Sequence, residues 1–330
     1  MELKHQVLKL LEEHRGRSIS GSKLADRLFV TRSSVWKAVK VLQKEGYNIS
    51  AITNKGYCLL PENDILSAES IRPYLKGAAV DFLLDVRQTV TSTNTLAKAL
   101  AAGGAKEGTV IVASEQTEGR GRMGRSFYSP SSTGVYLSII LRPKLNLSDS
   151  LLITTGAAVA AAKAIEAIAG VKAGIKWVND IFVEGKKVCG ILTEASLNFE
   201  SGGLEYAVVG IGINISTENF PDTLKSIAGS IFTNKPGDRP VSSLLIAELL
   251  NNIAECMNSL TDRKYLQEYR ERSFLIGQDI LVMKGNEEKP AKAIELDDQA
   301  RLIVRYEDQT LETLSSGEVS IRPIQRTSHE

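Results

Sequence analysis

Thr109-Val110-Ile111-Val112-Ala113 is followed by Glu115-Gln116-Thr117-Glu118-Gly119-Arg120-Gly121-Arg122-Met123-Gly124-Arg125, and then by Gly134-Val135-Tyr136-Leu137-Ser138-Ile139-Ile140-Leu141. The first and last are short, continuous apolar runs and read as buried strands. Between them, three glycines interleave with three arginines. Glycine lets a backbone approach a ligand closely and take positive φ. Arginine carries a planar, permanent charge that matches carboxylate and phosphate oxygens. The expectation is a cationic loop anchored at each end by a sheet, able to order over an anion without dragging the core. Charge alone would equally describe a basic surface loop; the flanking strands tip the reading toward a ligand that is an acid, a nucleotide or both.

Outward from that loop, strand-like runs recur over residues 82–89, 174–177, 188–196 and 206–215, and helical periodicity over 94–102, 148–169 and 242–272. Strands joined by hairpins, with the helices segregated, predict an α+β fold with a central mixed or antiparallel sheet over residues 63–275, and not a doubly wound sheet. Residues 1–62 read as a separate module. Val7, Leu8, Leu10 and Leu11 stripe a first helix, Ser20 opens a second, and residues 32–46 repeat apolar positions at Val35, Val39 and Leu42 before ending at glycine. Runs at 47–52 and 57–60 flank Thr53-Asn54-Lys55-Gly56 as a hairpin with a basic tip. That is the order of a winged helix-turn-helix. It places Lys37, Lys40 and Lys55 for DNA phosphates and Arg32, Ser33, Ser34 and Trp36 near base edges. The alternative is a helical dimerisation or capping domain with a solvated basic face. At the other end, residues 276–330 alternate short strands and turns, the pattern of a small β-barrel.

Composition narrows the chemistry. At 330 residues, 43% hydrophobic and 24% charged, the chain can bury a substantial core and is not of disordered type. A formal net charge of +1 means that nucleic-acid binding must come from a local patch. Cys58, Cys189 and Cys256 form no CxxC pair, which argues against a disulfide framework or a structural zinc site and for a reducing, cytoplasmic setting. The apolar stretch 151–171 is interrupted by Lys163 and Glu166 and reads as a buried helix, so no membrane association is expected. His5, His14 and His329 all lie near the chain ends, which excludes a Ser-His-Asp triad or a HExxH zinc site. Catalysis is left to lysine, arginine, carboxylates and backbone dipoles, and no residue is singled out as a metal ligand.

A second constellation is Gly174-Ile175-Lys176-Trp177-Val178-Asn179-Asp180, where a lysine on a short apolar strand should point inward. Beside the arginine loop its ammonium could bridge a carboxylate and an α-phosphate as they react; alternatively Lys176 forms an ordinary salt bridge with Asp180. Lys187 opens the next strand within reach of phosphate oxygens. Gly210-Ile211-Gly212-Ile213-Asn214 lacks the third glycine and helix of a dinucleotide fingerprint, so its glycines either let a flat ligand lie on a strand or mark a bulge. Ser92-Thr93-Asn94 reads first as a helix N-cap, with hydroxyls that could also hold a polar ring. No GxxxxGK[ST] is present, so ATP, if bound, does not use a P-loop.

Taken in order, Ser92-Thr93-Asn94, Gln116, residues 119–125, Lys176 to Asp180, Lys187 with Gly190-Ile191-Leu192, residues 210–214 and Gly317-Glu318-Val319-Ser320-Ile321-Arg322 resemble the biotin protein ligases. With the N-terminal module the whole chain resembles the bifunctional kind, which also represses biotin genes. The resemblance implies a class II synthetase-like ligase domain and an SH3-like C-terminal barrel. It implies that biotin's carboxylate attacks the α-phosphate of Mg2+-bound ATP to give biotinyl-5′-AMP, and that a lysine on the biotin carboxyl carrier domain of acetyl-CoA carboxylase or pyruvate carboxylase then takes the biotinyl group. Carried over by position, Ser92, Thr93, Asn94 and Gln116 hold the ureido ring. Arg120, Gly121 and Arg122 position carboxylate and phosphate; Lys176, with Arg122, is catalytic; and Arg122, Arg125, Asp180, Lys187, Asn214 and Arg322 serve the nucleotide. The adenylate is implied to act as corepressor, pairing two protomers into a homodimer on operator DNA. Two departures are Val178, where proline is common, and Phe127-Tyr128, where tryptophan is common, which leaves the adenine wall open. The nearest rival is a lipoate ligase, and a rival of another class is a transcription factor that only senses biotin.

Overall fold

A computed structural model of the chain describes residues 2–146, 149–197, 203–284, 287–315 and 320–323. Its first module has α1 (Leu3–Glu13), α2 (Gly21–Leu28) and α3 (Arg32–Lys44), then β1 (Ile49–Ile52) paired antiparallel with β2 (Gly56–Leu59). The Ser20 and Thr31 side chains accept from Lys23 N and Ser34 N, satisfying orphan donors at the starts of α2 and α3. Phe29, at φ 53°, turns the chain between the two helices. Val7, Leu8, Leu11, Leu24, Val35, Val39, Leu42 and Leu59 are buried together. Each contributes about 1.5–3 kcal/mol of apolar burial, which is what lets so small a unit hold its shape. Gly56, at φ +101°, runs so close to the Ile19 carbonyl that a Cβ would collide with it.

A linker follows, with α4 (Ala68–Ile71) inside it. The Arg15 guanidinium donates to the carbonyls of Leu60, Pro61 and Asn63, fastening the linker to α1. The Asp64 carboxylate accepts from both N and Oγ of Ser242 and lies 2.6 Å from Lys235 Nζ.

The central domain runs β3 (Leu83–Val90), α5 (Thr93–Ala102), β4 (Thr109–Gln116), β5 (Gly134–Leu141), α6 (Ser150–Ala169), β6 (Gly174–Lys176), β7 (Asp180–Val183), β8 (Lys186–Leu197), β9 (Leu204–Asn214), α7 (Asp222–Lys225), α8 (Val241–Asn258) and α9 (Tyr265–Arg272). Its seven strands lie in the order β3-β4-β5-β9-β8-β7-β6, parallel only between β3 and β4. Strand alternation sorts the two faces. Val110, Val112, Leu137 and Ile139 join the large core with α6 and α8, while Ile111, Ile140 and Val208 pack with Ala97 and Ala101 of α5. Although α6 is long and apolar enough to cross a membrane, 78% of its apolar window is buried inside the fold. Its alanines let it lie close against α8.

Two expectations are corrected here. The helix expected over 242–272 is two helices: α8 ends at Asn258, the chain turns through Ser259 to Lys264 with Arg263 at φ 54°, and α9 resumes. Leu260 in that turn is buried, and this tertiary anchor outweighs the helical pattern around it. Strand β7 is an addition to the expected strands: its four residues begin at Asp180 itself, too short a run for periodicity to mark. Residue 148, the expected start of α6, lies outside the described residues.

The last module has β10 (Asp279–Lys284), β11 (Glu287–Leu296), β12 (Leu302–Tyr306), β13 (Leu311–Leu314) and β14 (Ser320–Pro323), in the order β13-β12-β11-β10-β14 and antiparallel throughout. Among the described residues its ladder stays open between β13 and β14, and residues 317–319 of the terminal motif are not among them. The Trp177 indole N–H donates to the Ala300 carbonyl at 2.8 Å, and the Arg270 guanidinium reaches the Leu296 carbonyl, tying this module to the central domain.

Candidate active site

Both ends of the arginine loop are held by the sheet, as the flanking runs require. Gly121 N donates to the Arg125 carbonyl at 2.7 Å, and Arg120 bridges to Ser126, folding the loop into a tight hairpin whose tip carries Met123 and Gly124 at positive φ. Arg122 turns inward. Its Nη1 donates to Asn179 Oδ1 at 3.0 Å, and Asn179 is itself fixed by donating to the Ile191 carbonyl. Burial pulls the Arg122 guanidinium below its ordinary value, the nearby Asp180 charge opposes this and Arg125 adds to it. Guanidinium stays charged even so, so a desolvated cation is left seeking an anion.

The N-terminus of α5 supplies the opposite wall. Ser92, Thr93 and Asn94 are buried. Ser92 caps the helix by accepting from Thr95 N, and Thr93 donates from both N and Oγ1 to Gln116 Oε1 at 2.8 and 3.1 Å. Gln116 Nε2 donates to Ser129 Oγ, which uses one of its two hydrogens. The Ser138 hydroxyl lies 2.8 Å from Thr93 Oγ1 and 2.6 Å from Asn94 Oδ1.

The Gly210-Ile211-Gly212 run has an explanation that neither earlier alternative gave. The β8–β9 register is regular across it, so it is not a bulge. A Cβ on Gly210 would strike the Asn94 amide, and one on Gly212 the Phe127 ring. The glycines make room for two side chains of the cavity wall.

Beyond the loop, Lys176 at the end of β6 faces the cavity with its Nζ 6.0 Å from the Phe182 ring centroid. Asp180 pairs with Lys187, Nζ to Oδ1 at 2.6 Å. The Trp177–Val178 peptide bond is cis. Backbone bonds from Lys187 to Ile227 and Gly229 bring the segment after α7 over the site. Asn214, ending β9, donates Nδ2 to the Gly229 carbonyl, and its buried Oδ1 has no hydrogen-bond partner among the described residues.

These side chains line one cavity of about 990 Å³, at the upper end of the range for small-molecule sites. Ser92, Thr93, Asn94, Gln116, Arg120, Gly121, Arg122, Arg125, Lys176, Asp180, Lys187 and Asn214 all contribute to it. Five of the lining side chains are cationic, and among the described residues that line it one, Asp180, is a carboxylate. A wider groove of about 1330 Å³ between α6, α9 and the β6–β7 hairpin is more open, carries mixed charge and holds none of the expected site residues. Arg322 stands apart: its backbone lies on β14 opposite Leu281, which lines the cavity, and its side chain is outside what is described. Sequence alone does not single out Asn179, Ser129, Ser138 or Glu194 as supports of the site, nor Leu224, Ser226, Ile227 and Ala228 as part of its wall. Asn179 and Ser138 lie inside the quoted runs; the others carry no local signal.

On α3 the buried face is Val35, Ala38, Val39 and Leu42. The opposite face exposes Arg32, Ser33, Trp36 (51% exposed), Lys37 and Lys40, and Lys55 is exposed in the turn after β1. Ser34 is half-buried with its hydroxyl 2.9 Å from Thr31 Oγ1, the exposed Ser33 hydroxyl lies 2.9 Å from the same atom, and Lys40 Nζ donates to Gln43 Oε1 at 3.1 Å.

Known proteins resemble this chain in sequence and fold. The bifunctional ligase/repressor BirA of Bacillus spizizenii is 41% identical over 231 residues, covering 69% of this chain and 70% of that one. The chain belongs to the biotin protein ligase family. The pattern for the biotin/lipoate A/B protein ligase family matches residues 86–214, an HTH domain matches 4–58, and the biotin protein ligase C-terminal domain matches 275–322. The bifunctional ligase/repressor BirA of Escherichia coli is 25% identical over 310 residues, covering 93% of this chain and 94% of that one. Among solved structures, the biotin protein ligase from Aquifex aeolicus in complex with biotin and ATP is 26% identical with a TM-score of 0.62, covering 73% of this chain and 99% of that one. Within the family this chain is therefore of the ligase/repressor type, with its three expected modules in that order.

Proposed function

We propose that the cavity joins biotin's carboxylate to the α-phosphate of ATP and then passes the biotinyl group to a lysine of a biotin carboxyl carrier domain. The observation that carries this reading is five cationic side chains converging on one walled cavity beside the Thr93–Gln116 polar pocket. Two anions repel as they approach. Fixed cations in a site of low polarity neutralise that repulsion without reorganising during reaction. In the first step a carboxylate oxygen bonds to Pα, the Pα–O–Pβ bond breaks and pyrophosphate leaves. In the second, the carrier's neutral amine bonds to the acyl carbon, AMP leaves as an anion and the nitrogen gives up a proton.

The residues divide accordingly. Gln116, with one Nε2 hydrogen uncommitted, and the α5 N-terminus suit the ureido ring. Arg120 and Arg122 suit the carboxylate and the phosphoryl group formed from it, with Lys176 as the catalytic cation between them. Lys187, Arg125, Asp180 and Arg322 serve the nucleotide, and the unpartnered Asn214 Oδ1 suits an exocyclic amine such as adenine's. Among the described residues no group of three or more His, Cys, Asp or Glu is placed to hold a metal. Mg2+ fits as part of the ATP complex, its ligands chiefly phosphate oxygens and water, with Asp180 the one lining carboxylate. The Val178 and Phe127 departures leave the cavity intact, and Phe127 takes a wall position.

The exposed cations of α3 support operator binding through phosphates, with Trp36 and Arg32 toward base edges. We extend the reading to a homodimer formed when the adenylate is bound, whose two winged helices match a two-fold operator. The test is mass spectrometry of a carrier domain incubated with this chain, Mg-ATP and either biotin or lipoate. One biotinyl group added, and no lipoyl group, is expected; lipoyl labelling in its place overturns the substrate assignment.

A further inference from the structure

Glu194, on β8, is an acid that the mechanism above does not use, yet it meets three side chains, two on α5 and one on the arginine loop. Its Oε2 accepts from Asn94 Nδ2 at 3.0 Å. Its Oε1 accepts from Lys98 Nζ at 2.7 Å and lies 4.0 Å from Arg120 Nη1 on the arginine loop. Asn94 and Lys98 are one helical turn apart on α5, so both present to the same carboxylate. Burial alone would raise the Glu194 carboxyl, but the bonds from Lys98 and Asn94 and the charges of Lys98 and Arg120 outweigh it and hold the group below the ordinary carboxylate range.

A carboxylate only accepts hydrogen bonds, and this fixes a direction. Asn94 Nδ2 must point at Glu194 and at the Leu192 carbonyl, 3.2 Å away. A flipped amide would set oxygen against two acceptors. Asn94 Oδ1 is thereby aimed at the Ser138 hydroxyl, which borders Thr93 Oγ1, which donates to Gln116 Oε1. The chain of bonds ends with Gln116 Nε2 as donor. At its other oxygen Glu194 gives Arg120, half-exposed on its loop, a weak anionic partner that a substrate carboxylate can replace.

We propose that Glu194 is a positioning residue for the acid substrate, acting through Asn94 to set the hydrogen-bond polarity of the ring pocket and through Arg120 to hold the loop over the carboxylate. This rests on the ligase reading. The test is steady-state pyrophosphate release by the full chain, with KM for biotin, KM for ATP and kcat compared among wild type, Glu194→Ala and Glu194→Gln. Glu194→Ala should raise the biotin KM about tenfold, the loss of a charged hydrogen bond, and change the ATP KM by less than about twofold. Glu194→Gln, which keeps the shape and one acceptor, should leave the biotin KM raised about threefold. A general packing defect would raise both KM values together and would not be rescued by glutamine. An unchanged biotin KM in a folded Glu194→Ala protein, or equal rises for both substrates, overturns the proposal. If the alanine variant does not fold, an unchanged biotin KM in Glu194→Gln does the same. A wild-type chain with no biotin-dependent pyrophosphate release overturns the ligase reading instead.

Discussion

Cations of two regions carry the same formal charge in different surroundings. Arg122 and Lys187 sit in a walled cavity, each with its position set by a named partner, Asn179 or Asp180. Lys37, Lys40 and Lys55 stand exposed on one face of α3 and in the turn of the wing. A desolvated, fixed cation interacts strongly over a few ångström and suits bond-making. A solvated one is screened beyond about 10 Å at 0.1 M salt and suits reversible attraction to a polyanion. On the proposed reading, one chain uses positive charge for chemistry and for docking, and burial decides which.

The contrast can be broken most severely in the cavity. Arg122→Ala should slow pyrophosphate release by about 10²–10³-fold, as for loss of one preorganised charge donor, and Arg122→Lys should recover little because lysine lacks the planar fork. A rate within a few-fold of wild type would show that the cavity does not depend on that cation. On α3, Lys37→Ala and Lys40→Ala should each lower the slope of log affinity against log salt for duplex DNA by about 1 and leave pyrophosphate release unchanged. Equal salt sensitivity of the two activities would erase the distinction.

Smaller effects sharpen the boundary between the regions. Asp64 bonds to Ser242 at the start of α8, whose own N-cap, Pro240, supplies no side-chain cap. Asp64→Ala should therefore cost about 1 kcal/mol in thermal or urea unfolding, and an unchanged midpoint would remove the joint from the account. Smallest is the acid dependence. Glu166, half-buried beside Arg272 and Ala173 N, and Glu194 are both held below their ordinary value of 4.5 in the folded chain by these hydrogen bonds and charges, which outweigh burial. The unfolded chain then binds more protons at a given pH, so their contribution is fully present above that value and is lost as pH falls through the folded values. Urea midpoints should drop on acidification below about pH 4.5, and Glu166→Gln should flatten the drop; a variant with the wild-type profile would assign the acid sensitivity elsewhere.

Much of this was legible in the chain. Strand β5 occupies the run Gly134–Leu141, and α3 follows its apolar period because both elements are set by local patterning. The helical pattern over 242–272 breaks into two helices because a buried Leu260 anchors a turn there, which no periodicity reveals. The glycines of β9 could not be understood without knowing that Asn94 and Phe127, far away in sequence, rest on them. Glu194 was silent for the same reason: its role exists only where α5, β8 and the arginine loop meet.

The most direct test of the central claim, that cations fixed in the cavity join two anions, is exchange of labelled pyrophosphate into ATP, followed with and without biotin for wild type and Lys176→Ala. Exchange that requires biotin in the wild-type chain and falls by about 10²-fold or more in a folded Lys176→Ala protein is the expected result. Exchange at the wild-type rate without Lys176 would contradict it.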